Sequence, residues 1–322
     1  MIDSAGFQTS GVDGLRTRGF AFGGLRLSSA MELPFLSALP QSSGDADVHI
    51  SVSSNPLPDG ELLHRSIGRY GLELHKAGAD WLFRHGMAGV VVAETGRRLV
   101  CHCPDPADLP LLAEILVRRV LPRICYLHGR LPIHAATLSG PAGAVMLLGT
   151  SGAGKSTMTA ALARYLDWGI FSDDMSVLDD TGPVTALSGT EGVSLWEESV
   201  AGLDIPADRV VPMTGYDGKF SYRPHATPPA PMPLNAVLLL TVPAEDSAVG
   251  FERLTGPEVL VTLCSQIVRF NRRDVAENGD LMRRLGRVAS DVPVFALSYP
   301  RAFAKLPAVA EAVAAHLDCL PA

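Results

Sequence analysis

"LLGTSGAGKSTMTAAL", residues 147–162, is the stretch that decides how the chain reads. Gly149-Thr-Ser-Gly-Ala-Gly154-Lys155-Ser156 has the spacing of a phosphate-binding loop, G-x-x-x-x-G-K-S. Such a loop works because backbone N–H groups at a helix N-terminus converge on an anion. The glycines at 149, 152 and 154 keep side chains out of that approach. On this reading Gly149, Thr150, Ser151, Gly152, Ala153, Gly154, Lys155, Ser156 and Thr157 bind a nucleoside triphosphate. Lys155 reaches the β/γ-phosphates, and the Ser156 hydroxyl ligates Mg2+. A glycine-rich turn that binds nothing is the competing account, and the flanks weigh against it. "GAVMLLGT" before the loop is nearly all apolar, as a strand covered on both faces is. "KSTMTAALARYL" after it spaces Ala and Leu for a helix, which supplies the strand–loop–helix context the motif needs.

Working outward, "IHAATLSG" precedes the loop strand as a further β run, and "GIFS" follows the helix and ends in Asp173-Asp174. Adjacent carboxylates at a strand end can supply a metal-bridging group and a base. They also fit a solvated turn. Asp179-Asp180, followed by Thr-Gly-Pro, reads as a plain turn without a role. "LNAVLLLTVP" (234–243) is another buried strand, and "VFALSYP" with the helix "FAKLPAVAEAVAAHL" closes the chain. The Pro-rich "PHATPPAPMP" (224–233) reads as a surface connector.

The first hundred residues carry short strand-like runs: "GFAFGGLRLSS", "ADVHISVSS", "GLELHKAGADWLFRHG", "GVVVAETG" and "RRLVCHC". The third reads as a hairpin turning at Ala77-Gly78-Ala79-Asp80. The period then changes: Leu109, Leu111, Leu112, Ile115, Leu116 and Val120 recur at helical spacing. The fold class is therefore α/β with two domains, a mostly β N-terminal domain over 1–127 and a phosphate-loop domain over 128–322.

Composition narrows the partners. Of 322 residues, 47% are hydrophobic and 19% charged, enough for packed cores. A formal net charge of -7 offers no basic field for nucleic acid. No run of about 18 apolar residues suggests a membrane span, and "MIDSAGFQTSGVDGLRTRG" lacks a secretory apolar segment, so a cytoplasmic protein is expected. The five cysteines are too scattered for a disulfide framework. Cys101-His102-Cys103 tempts a metal reading, but on a strand the two thiols share one face and the imidazole takes the other.

"IHAATLSGPAGAVMLLGTSGAGKSTMTAALARYLDWGIFSDDMSVLD" resembles the HPr kinase/phosphorylase family, bacterial serine kinases built on a phosphate loop. The match runs over about 128–180 and more loosely to about 265, through "GVSLW", "KFSYR" and "PLNAVLLL". The resemblance implies the nucleotide fold shared with phosphoenolpyruvate carboxykinase, ATP and Mg2+ as cofactors, and roles for single positions. Asp173 would take the proton from a seryl hydroxyl, and Asp174 would assist through magnesium or by orienting that base, with their order open. His134 would lie beside the γ-phosphate or the metal, although by itself it also reads as a core histidine on a strand.

Glu191 is a second candidate magnesium-facing carboxylate and equally a solvated loop acid. Lys219 and Arg223 are candidates for bracing phosphate oxygens, or lie on a wet strand edge. Arg269, Arg272, Arg273, Arg283, Arg284 and Arg287 form the main basic concentration, with Asp274, Glu277 and Asp280 interleaved as on a solvated helix face. The reading reached is an ATP-dependent serine kinase acting on a peptide or small protein. The N-terminal hundred residues do not resemble the regulatory domain of true HPr kinases, so a ribosomal precursor peptide of the lasso type is preferred over HPr. The alternatives are a non-catalytic ATP switch or assembly protein and an HPr-type carrier kinase. A homo-oligomer is left open.

Overall fold

A computed structural model describes residues 17–39, 45–66, 70–213, 216–224, 230–241, 248–271 and 273–320. Most of the segment read for a secretory signal, the middle of the Pro-rich connector and Arg272 lie outside the described residues. The chain is mixed α/β. Its first sheet contains β1 (Arg18–Phe22), β2 (Leu25–Ser29), β3 (Ala38–Leu39), β4 (Val48–Ser53), β5 (Glu61–Arg65), β6 (Glu73–Ala77), β7 (Asp80–His85), β8 (Ala88–Val92) and β9 (Arg98–His102). Their order is β3-β1-β2-β4-β9-β8-β7-β6-β5. Alternation selects the buried face: Leu25 and Leu27 on β2 and Val48 and Ile50 on β4 point inward, while Arg26 and His49 point out. The β6–β7 hairpin turns through Gly78 at φ +62°, closed by the Ala77–Asp80 pair. The β2–β4 and β4–β9 pairs are parallel, an arrangement that no local turn signal announces. Cys101 and Cys103 are buried together, and His102 Nδ1 lies 3.0 Å from the Asn55 carbonyl on the other side.

One helical rod covers this sheet. It runs as α1 (Leu109–Ile115), a π turn (Leu116–Val120) and α2 (Leu121–Leu127) without a break. Leu112, Ile115, Leu116, Val120 and Ile124 share a core with Phe22, Phe83 and Leu99. The same core takes in Val177, Leu187 and Phe270 from beyond residue 127. The change of sheet near residue 127 is thus not a gap in packing.

The second sheet is built from β10 (Leu131–Ile133), β11 (Ala136–Gly140), β12 (Gly143–Leu148), β13 (Ile170–Ser172), β14 (Ser176–Asp179) and β15 (Thr185–Leu187). A small sheet follows, ordered β16 (Val193–Trp196), β18 (Lys219–Tyr222) and β17 (Val210–Pro212). β19 (Met232–Leu240), β20 (Gly250–Arg253) and β21 (Val294–Ser298) return to the second sheet, where β12, β19 and β21 are parallel neighbours. Helix α3 (Lys155–Leu166) follows the glycine-rich loop, α4 (Glu197–Gly202) follows β16, and α5 (Pro257–Ser265), α6 (Val275–Asp291) and α7 (Leu306–Asp318) complete the chain. The two faces of β12 sort its residues. Val145 and Leu147 pack with α3 and α7 residues such as Leu162 and Val313, whereas Ala144, Met146 and Leu148 pack with Leu263, Leu281 and Leu285 of α5 and α6. A strand buried on both faces needs the unbroken apolar run seen in the sequence.

Two expectations change here. Asp180 is buried rather than exposed in a turn, and its carboxylate pairs with the Arg284 guanidinium. Arg287 donates to the Asp180 carbonyl at 2.7 Å and to the Gly182 carbonyl at 3.0 Å, and Arg284 also donates to the Gly129 carbonyl at 3.0 Å. This half of the basic concentration ties α6 to the β14–β15 turn, while Arg283 stays exposed with Asp280 at 2.8 Å.

Candidate functional site

The glycine-rich loop leaves the C-terminal end of β12 and enters α3, at the edge of the parallel strands where open α/β sheets form crevices. Gly154 begins the helix at φ +92°, and a Cβ there would stand 2.9 Å from the Tyr299 hydroxyl. Only glycine fits both the left-handed backbone and that approach. The loop is braced from the β21–α7 connection: Tyr299 donates to the Ala153 carbonyl at 3.2 Å and Arg301 to the Gly152 carbonyl at 2.8 Å. Sequence reading missed both braces, because β21 looked like a closing strand only.

A cavity of about 290 Å³ opens on the loop. Thr150, Ser151, Gly152, Gly154, Lys155, Ser156 and Thr157 form one wall. His134, Asp174, Lys219 and the segment Ser194–Trp196 face it. Seven of the nine predicted loop residues, one of the two aspartates, the histidine and Lys219 therefore converge on one space. Gly149 and Ala153 lie behind the wall and shape it: the Gly149 carbonyl accepts from Lys155 Nζ at 2.8 Å. Burial lowers the Lys155 pKa, offset in part by Asp174 and Asp173.

The two aspartates have different surroundings. Asp173 is buried and does not line the cavity. Its Oδ1 accepts from the Ser156 hydroxyl at 3.0 Å, and its Oδ2 accepts from the Ser194 backbone N–H at 2.8 Å. Burial, then the charge of Asp174, raises its pKa against those hydrogen bonds. Asp174 sits at φ +72°, a left-handed conformation that turns the chain out of the strand line. Its Oδ1 lies 2.6 Å from His134 Nε2, and its Oδ2 lies 3.8 Å from Arg119. Burial pushes this carboxyl up, but the His134 hydrogen bond and charge, with Arg119 and Arg118, outweigh it and hold it well below the usual carboxylate range.

Ser156 Oγ and the Asp173 carboxylate are hard oxygen donors of the kind magnesium takes. Among the described residues no group of three or more His, Cys, Asp or Glu side chains is placed to hold a metal ion. A divalent cation here would complete its shell with ligand and water oxygens, which is how magnesium is usually held. Glu191 lies elsewhere: its carboxylate accepts from the Ser37 hydroxyl and from Arg223 at 3.0 Å, and its N–H donates to the Phe35 carbonyl at 2.7 Å. Arg223 is thereby drawn away from the cavity. Lys219 faces into it, its Nζ 4.8 Å from the Tyr216 ring centroid and 5.4 Å from that of Trp196. Burial, with Arg118, lowers its pKa, while Asp173 and Asp174 raise it.

Two arginines of the π turn enter this neighbourhood unannounced by any motif. Arg118 is buried, donating to Ser194 Oγ at 3.0 Å beside Glu114 at 3.5 Å. Arg119 approaches Asp174.

No family model matches the chain, and no curated protein matches it. Among solved structures it is similar to the HPr(Ser) kinase/phosphatase from Coxiella burnetii. The TM-score is 0.27 and the identity 9%, over 58% of this chain and 98% of that one. Among the described residues no helix is long and apolar enough to cross a membrane.

Proposed function

We propose that the chain is an ATP-dependent kinase that transfers the γ-phosphoryl group to a seryl hydroxyl of a peptide or small protein. The observation that carries this reading is the meeting, in one cavity, of the glycine-rich loop with Lys155 and Ser156 and of the Asp174–His134 pair. A nucleotide-binding switch needs the first half of that set but has no use for the second.

The loop N–H groups and the α3 N-terminus hold the β- and γ-phosphates. Lys155 exchanges its bond to the Gly149 carbonyl for phosphate oxygens. Magnesium, when bound, neutralises charge on the phosphates, and Ser156 Oγ with the Asp173 carboxylate would hold it. The acceptor hydroxyl oxygen bonds to the γ-phosphorus while the bond to the ADP oxygen breaks. The Asp174 carboxylate, which lines the cavity, orients the acceptor hydroxyl and, held below the usual carboxylate range, takes its proton late, as the new P–O bond forms. The sequence reading named Asp173 first as the base and left the order within the pair open; this arrangement puts the base at Asp174. The reason is access: Asp173 faces Ser156 and the β16 backbone, and Asp174 faces the cavity. His134 orients Asp174 through the 2.6 Å contact.

Within this reading a precursor peptide remains the preferred acceptor and HPr the alternative. Single-turnover transfer of labelled γ-phosphate to each tests it. Transfer to neither, together with tight ATP binding, would leave the switch reading in its place.

A further inference from the structure

The helical rod that covers the first sheet brings an arginine beside Asp174, a residue of the cavity wall. Its buried surface is almost continuous: Leu112, Ile115, Leu116, Val117, Val120, Leu121 and Ile124 are all at or below 1% exposure. At Leu116–Val120 the rod widens into a π turn. Such a turn inserts a residue into the helix and is frequent at functional sites. Here two consecutive arginines, Arg118 and Arg119, reach Ser194 and Asp174 from beyond the first sheet, with different surroundings. Arg118 is committed to the interior through Ser194 and Glu114, its guanidinium 4.5 Å from the Phe35 ring centroid. Arg119 keeps 38% of its side chain exposed, and its guanidinium lies 3.8 Å from Asp174 Oδ2 and 5.7 Å from the Tyr70 ring centroid. The first distance is an ion pair without a hydrogen bond, so the guanidinium is near the site and loosely held. Its backbone is fixed, since Arg123 donates to the Arg119 carbonyl at 2.5 Å.

We propose that Arg119 is a catalytic residue supplied from within the chain: with nucleotide bound, its guanidinium leaves Asp174 and binds the oxygens of the γ-phosphoryl group during transfer. This rests on the kinase reading above. Charge spreads over those oxygens in the transition state, and a guanidinium presents a planar fork of donors to them. The step moves no proton through Arg119, which stays a cation throughout. In this arrangement the helical rod over the first sheet completes the site.

The test uses the full chain, Arg119→Ala and Arg119→Lys, with affinity for Mg-ADP measured by calorimetry with and without aluminium fluoride, a mimic of the transferring phosphoryl. All three proteins should bind Mg-ADP alike, because the loop is untouched. Aluminium fluoride should tighten the parent complex and fail to tighten either variant. Turnover should fall on the order of 10³-fold, the scale of an arginine acting on this transition state. Added guanidinium should restore part of the loss in Arg119→Ala, which has room for it, and none in Arg119→Lys. Equal tightening by aluminium fluoride in the parent and Arg119→Ala would overturn the assignment. So would a loss that guanidinium cannot restore, since that marks a residue that only positions Asp174. A parent that binds Mg-ADP but never tightens with aluminium fluoride would overturn the kinase reading itself, and this inference with it.

Discussion

The Ser156 hydroxyl donates to Asp173 Oδ1 across 3.0 Å. That contact assigns the first aspartate to the glycine-rich loop and leaves its neighbour Asp174 to the cavity, 2.6 Å from His134. Consecutive residues at a strand end ordinarily point to opposite faces, and the left-handed backbone at Asp174 sets how far apart the two carboxylates look.

Substituting each aspartate should therefore separate two functions. Asp174→Asn should bind Mg-ATP as the parent does and lose roughly 10²–10⁴-fold in single-turnover transfer, the usual contribution of a positioned acid–base group. Asp173→Asn should raise the magnesium concentration needed for half-maximal turnover. The reverse pattern in a magnesium titration would return the base to Asp173.

Lys155→Ala removes a buried ammonium whose observed partner is the Gly149 carbonyl. One unpaired carbonyl should leave folding nearly unchanged, and the affinity for Mg-ATP should fall steeply. Calorimetry that finds unchanged affinity would remove this loop from the site.

Much of the second sheet was legible because its signals are local. The loop motif, the apolar run of β12 and the spacing of α3 each sit within a few residues, and they place Lys155 and Ser156 without help from the rest of the chain. His134, Asp174 and Lys219 were legible as candidates, but their convergence joins residues beside β10 and β13, which are not sheet neighbours, to β18 of the separate small sheet. Arg119 was not legible. "LVRRVLP" has no motif, and an ordinary helix over it would not single out either arginine. Asp180 was misread for a related reason: an Asp-Thr-Gly-Pro turn looks solvated until Arg284, far along the chain, is known to cover it.

Asp180 and Arg284 supply a stability prediction. Their side chains are 7% and 14% exposed, so removing one charge leaves the other buried without its partner. Arg284→Met should lower unfolding free energy by about 3–5 kcal/mol. Replacing both with apolar residues should cost much less, because no charge is then stranded. Denaturant melts of the two single variants and the double variant measure the difference. Additive losses would show that the pair is weaker than its burial implies.

Glu191 gives the test that separates a structural from a metal role. Its carboxylate joins Ser37, beside β3 of the first sheet, to Arg223, next to β18 of the small sheet, and its N–H holds the Phe35 carbonyl. Phe35 itself adopts φ +65°, a strained backbone for an aromatic residue, so surrounding contacts must hold it there. Glu191→Gln keeps the shape and one acceptor oxygen but loses the charge opposite Arg223. It should lower stability by at most about 1 kcal/mol, the scale of a partly exposed ion pair. The magnesium dependence of turnover should not move, since neither oxygen faces the loop. Thermal melts and a magnesium titration on the same preparation give both readouts. A shifted magnesium requirement with an unchanged melt would make Glu191 a metal ligand after all, and would require the Ser37 and Arg223 contacts to open when nucleotide binds.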